Sequence, residues 1–127
     1  MTPENRLHVI LDGWGAPFEL LDDAQGIERL LRRAVARLGG RILHLYVHAF
    51  DPQGLTAFAL LAESHIAIHT WPETGHFAAD LFFCGSIGLE AAVEEIRWAL
   101  RPEHMSVSEI HRLPLSRPAP SQALVER

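Results

Sequence analysis

The chain is poor in cysteine, with one in 127 residues. A single thiol can close no internal disulfide and suits a reducing cytosol. No apolar run approaches the roughly 20 residues that a membrane-spanning helix needs. The opening Met-Thr-Pro-Glu-Asn-Arg lacks the basic-then-apolar layout of a secretory signal, so a cytoplasmic protein with no membrane partner is expected. Positive charge is also short: 11 Lys+Arg stand against 16 Asp+Glu, for a net charge of −5. Without a concentrated basic footprint, nucleic acid is not expected as a partner. No CxxC or HExxH spacing and no internal repeat occurs. The 48% hydrophobic content excludes a disordered chain. The length fits one domain with a modest core, for which an oligomer that buries more surface is a reasonable expectation.

The apolar periodicity predicts β-α-β-β-β-β-α-β. Arg6 to Asp12 alternates like a strand and Gly13 to Pro17 breaks it. Asp22 is the predicted helix N-cap, with Asp23 favouring the positive end of the dipole. Ile27, Leu30, Leu31, Ala34, Val35 and Leu38 then follow the 3/4 spacing of one helical face, which Gly39-Gly40 ends. The arginines on the other side read as a solvated face. Arg41 to Phe50 and Leu55 to Leu61 read as strands joined at Asp51-Pro-Gln-Gly54. Ser64 to Trp71 and Phe77 to Phe83 read as a hairpin around Pro72-Glu-Thr-Gly75. Leu89, Ala92, Val93, Ile96 and Ala99 predict a second helix, ended by Arg101-Pro102, and Met105 to His111 a last strand. The domain is predicted to span 1–112, and residues 113–127, with three prolines, a flexible tail. Short links between strands favour an α+β two-layer sandwich: a mainly antiparallel sheet with two helices on one face. The other face is then left for a partner subunit.

The hairpin carries more chemistry than a core filler needs. Alternation puts Ile66, Ile68, Phe77, Ala79, Leu81 and Phe83 toward the helices, and His65, His69, His76, Asp80 and Cys84 on the opposite face. Such a set allows several chemistries. Histidines with one cysteine and one aspartate are zinc ligands in other proteins, but the motif spacings are missing and no metal is expected. A cysteine nucleophile paired with histidine is another option, against the plainer reading of an inert core thiol and satisfied histidines.

Ala62-Glu63-Ser64-His65-Ile66-Ala67-Ile68-His69-Thr70-Trp71-Pro72-Glu73, followed by Ala79-Asp80-Leu81-Phe82-Phe83-Cys84-Gly85, closely resembles the small prokaryotic S-adenosylmethionine decarboxylases. His8 to Asp23 and His48 to Gly54 extend the likeness. The resemblance implies a proenzyme that cuts itself between Glu63 and Ser64, giving a β chain of 1–63 and an α chain of 64–127. The Ser64 hydroxyl attacks the Glu63 carbonyl to form an ester. β-Elimination then leaves a dehydroalanine, and hydrolysis yields a covalent pyruvoyl cofactor. His69 falls where the family has the processing base, and Thr56 where relatives carry a serine that bonds the cleavage intermediate. In the mature enzyme the substrate amine would form a Schiff base with the pyruvoyl ketone. Cys84 matches the family's proton donor, Phe50 its adenine-stacking aromatic, and Glu63 a residue beside the substrate. Homodimers with active sites at the subunit boundary, and a place in spermidine synthesis, are likewise implied.

Two features stand apart from the family pattern. Relatives usually show an arginine at Ala49, a glycine at Ala57, a tyrosine at His76 and a larger apolar residue at Gly13. These departures keep ornithine or arginine decarboxylation in view as alternatives, along with a non-processing regulatory homologue. Ser64 and His69 are also five apart, so an unbroken strand would turn them to opposite faces. The reading therefore expects a bend or bulge at Ser64.

Overall fold

The computed structural model describes residues 6–84 and 88–112. Six strands form one antiparallel sheet in the order β2-β3-β4-β5-β1-β6. They are β1 (Arg6–Trp14), β2 (Ile42–Ala49), β3 (Leu55–Leu61), β4 (Ser64–Trp71), β5 (His76–Cys84) and β6 (His104–His111). α1 (Phe18–Leu21), α2 (Ala24–Leu38) and α3 (Leu89–Leu100) make the second layer. The expected two-layer α+β architecture is thus present, with one short helix more than the periodicity predicted. Four residues of α1 are too few to display a repeat. No helix among the described residues is long and apolar enough to cross a membrane.

α2 buries all six residues of its predicted apolar face. Its N-cap is Asp23, not Asp22: the Asp23 carboxylate accepts from the Gly26 N–H at 3.0 Å, while Asp22 is committed elsewhere. Gly39, with φ +69°, takes the left-handed C-cap. α3 packs beside α2, and Glu95 receives both Arg33 and Arg37 at 3.3 and 3.0 Å. Two of the arginines read as solvated are therefore ion-paired between helices.

The strands supply the lower half of the core. Val9, Leu11, Leu55, Ala57, Ala59, Leu61, Ile66, Ile68, Phe77, Ala79, Leu81 and Phe83 are buried with the apolar faces of α2 and α3. β1 runs two residues past its expected end because Gly13 pairs with Phe77. A Cβ at Gly13 would collide with the Phe77 ring, so that ring fills the volume a side chain at position 13 would need. The sheet's one register shift lies between Ile42 and His44 in β2. β4 has none. Ser64 pairs with Phe83 in step with His65 and Phe82, which corrects the expected bulge. The chain bends at Ala62 and Glu63, before the strand begins. Ser64 thus shares the core-side face with Ile66 and Ile68, and His69 lies on the other.

That other face has nothing over it among the described residues. Its register collects His44 and His48 from β2, His65 and His69 from β4, His76 from β5, His8 from β1 and His104 from β6. Seven of the chain's eight histidines therefore stand on one sheet surface, among exposed Trp14, Tyr46, Phe58, Leu60, Trp71 and Ile110.

Candidate active site

The site residues read from the sequence fall into two groups at opposite ends of β4. At one end Thr56 and His69 are direct cross-strand partners, and Thr56 Oγ1 lies 3.0 Å from His69 Nδ1. Both line a cavity of about 350 Å³ together with Phe50, Trp71 and Glu73. The β2–β3 turn aims Phe50 into this space: its N–H donates to the Gly54 carbonyl at 2.8 Å, and its ring is half exposed at 51%. His48 packs edge-on against that ring with centroids 4.6 Å apart.

The other group surrounds the bend between β3 and β4. The Ala62 N–H donates to the Arg41 carbonyl at 2.9 Å, and the Arg41 N–H donates to Glu63 Oε1 at 3.1 Å. These bonds clamp the residue ahead of Ser64 to the start of β2. Ser64 opens β4 beside Phe83, and half-buried Cys84 follows on β5, opposite Arg6. Gly85 lies outside the described residues. At about 3.3 Å per residue, the five steps from Ser64 to His69 span about 16 Å. Within one chain, therefore, the histidine does not reach the serine.

Between the groups lies a packed titratable cluster. His65 stacks on Phe58 with centroids 5.4 Å apart and meets Phe82 and His8 at 6.1 and 6.5 Å. His8 Nε2 is buried without a hydrogen bond, 3.6 Å from Asp80 Oδ1. Burial holds His65 below the ordinary 6.5, His8 lowers it further, and the Asp80 carboxylate opposes both. Among the described residues no group of three His, Cys, Asp or Glu side chains is arranged to hold a metal ion.

A family model described as S-adenosylmethionine decarboxylase matches residues 7–113. The chain belongs to that family. A relative from Methanococcus vannielii, named S-adenosylmethionine decarboxylase proenzyme, is 45% identical over 106 residues, covering 83% of this chain and 87% of that one. Another of the same name from a Synechococcus species is 40% identical over 119 residues, covering 84% and 93%. The crystal structure of the adenosylmethionine decarboxylase from Aquifex aeolicus superposes with a TM-score of 0.82 at 30% identity, covering 91% of this chain and 97% of that one.

Within the family motif, Trp71 and Glu73 have no role assigned by the sequence, yet both line the cavity with His69. Their place in the Trp-Pro-Glu turn was the available signal. His8 had no signal, because its contact with Asp80 depends on β1 pairing with β5 across most of the chain.

Proposed function

We propose that this chain is a self-processing, pyruvoyl-dependent S-adenosylmethionine decarboxylase supplying the aminopropyl donor for spermidine synthesis. The observation that carries the reading is the Thr56–His69 pair at 3.0 Å in a cavity that also holds Phe50. A base needs a free lone pair. If His69 donates its Nδ1–H to Thr56, Nε2 is left as acceptor, and the Thr56 hydroxyl keeps its own proton to donate to a developing oxyanion. One hydrogen bond thus divides two duties: Thr56 stabilises the tetrahedral centre at Glu63, and His69 removes the Ser64 α-proton.

Cleavage proceeds by attack of Ser64 Oγ on the Glu63 carbonyl carbon. The C–N bond breaks as the C–O bond forms, and the freed nitrogen takes a proton. Loss of the α-proton then expels the Glu63 carboxylate from Cβ, and water replaces the nitrogen as ammonia. The chain suits this cut. Glu63-Ser64 sits at a bend between two strands that remain paired to β2 and β5, so breaking it removes no strand from the sheet. The pyruvoyl carbonyl at position 64 supplies the electron sink for carbon dioxide loss. Around it, Cys84 delivers the proton that replaces carbon dioxide, Glu63 lies beside the substrate as the end of the β chain, Phe50 stacks on adenine, and Glu73 offers an acceptor for hydroxyls at the cavity rim.

The 16 Å separation within a chain calls for a second copy. Two sheets packed open face to open face about a two-fold axis would set the Thr56–His69 end of one chain against the Glu63–Ser64–Cys84 end of the other. A homodimer with a shared site follows, and the exposed aromatic residues of that face support it.

Intact-mass measurement tests processing: fragments matching 1–63 and 64–127, the latter with a blocked amino terminus, are expected, and a single full-length species would sink the reading. Carbon dioxide release is expected from S-adenosylmethionine and not from ornithine or arginine. Release from either amino acid alone would reassign the substrate.

A further inference from the structure

Thr70 is the only buried polar residue among those described, at 5% exposure. It follows His69 directly, and its side chain points the other way, into the core. Its hydroxyl donates to the Leu21 carbonyl at 2.8 Å and accepts from the Leu55 N–H at 3.0 Å. Leu21 ends α1, where a carbonyl has no partner within the helix. Leu55 begins β3, one residue before Thr56. One residue beyond Leu21, the Asp22 carboxylate accepts from the Gly54 N–H at 2.9 Å. Gly54 in turn takes the Phe50 N–H at its carbonyl. The α1–α2 corner is therefore bonded directly to Gly54 and to Thr70 on β4, and the Thr70 hydroxyl in turn holds Leu55 at the start of β3. These sites carry Phe50, Thr56 and His69, although Asp22 and the Thr70 hydroxyl are both committed away from the cavity's reacting groups.

We infer that Thr70 and Asp22 are positioning residues that set the 3.0 Å register between Thr56 and His69. The inference rests on the proposed roles of that pair. The physical case is that a hydroxyl–imidazole bond across two strands needs the start of β3 held against β4. The Leu55 N–H is bonded to the Thr70 hydroxyl, so the sheet ladder alone does not hold it there. A shift of the order of 1 Å at such a pair costs about a hundredfold in rate.

The test measures the first-order rate of self-cleavage in purified full-length precursor, with melting temperature recorded alongside. Thr70→Val, which keeps the shape and deletes the hydroxyl, is expected to cleave about tenfold or more slowly, and Thr70→Ser to restore the rate. Leu30→Ala, in the helix layer, serves as a destabilised control and is expected to cleave at the parent rate. Parent-like cleavage by Thr70→Val would overturn the inference, as would an equal slowing in the control. If Thr70→Val does not fold, exposed Asp22 decides: Asp22→Ala is expected to slow cleavage and Asp22→Asn, which keeps the acceptor oxygen, to preserve it. Equal rates for the two would overturn it. His69→Ala separates the two levels of argument. Parent-rate cleavage there removes the proposed base, whereas a dead His69→Ala beside a normal Thr70→Val removes only the positioning role.

Discussion

Cys84 and Glu73 divide the proposed site into chemistry and binding, and each can be tested alone. In the proposed mechanism the Cys84 thiol acts after cleavage, so Cys84→Ala is expected to yield normal fragments but to turn over at least about a hundredfold more slowly, the usual scale for a lost proton donor. Blocked cleavage, read by gel, would mean its role is assigned to the wrong step. Glu73 lines the cavity without touching the Thr56–His69 bond. Glu73→Gln is expected to raise KM several-fold with little change in kcat, and steady-state kinetics check it. His65 bears on stability instead. Its folded pKa lies below 6.5 because burial disfavours the cation, with His8 adding to the effect. Above 6.5 both folded and unfolded forms are neutral and the residue contributes no pH dependence. As pH falls below 6.5 the unfolded chain takes up the proton first, so stability declines until pH has passed through the lowered folded value. His65→Gln is expected to flatten part of this decline, as followed by urea unfolding between about pH 7.5 and about pH 5.5 (about one unit on either side of the free imidazole value).

At the scale of elements, β1 and β5 share one volume across the sheet. Phe77 is buried to 1% exposure and occupies the space above Gly13. Phe77→Ala is expected to cost about 3–5 kcal/mol, and Gly13→Leu alone to destabilise by overpacking. Combined, they should recover much of the loss, and the strongly favourable coupling in a double-mutant cycle is the measurement. Additive losses would mean the two positions do not share the volume. The bend at Ala62-Glu63 is held in a comparable way, by two bonds to Arg41, which places the proposed cleavage point, Glu63-Ser64, between strands instead of within one.

For the whole molecule, the uncovered sheet face is where the two proposed half-sites would meet. Co-expressing Ser64→Ala with His69→Ala is expected to restore cleavage of the His69→Ala chain, because that chain keeps its own serine and borrows a histidine. If the mixture stays uncut, the site is completed within one chain and β4 must rearrange. The sequence by itself determined the layers and the buried faces of α2 and β5, since periodicity is local, and its long motif is what suggests the proposed Glu63-Ser64 and Thr56/His69/Cys84 roles. It misread what non-local contact decides. Asp22 gave up the N-cap because its carboxylate meets Gly54, 32 residues away. Ser64 needed no bulge, because the register of β4 is fixed by Ile66 and Ile68 in the core. Only the tertiary structure showed β4 running unbroken from Ser64 through His69, and so set the two proposed half-sites at opposite ends of one strand: strand pairing, not the motif, decides whether a strand bulges and which side chains share a face.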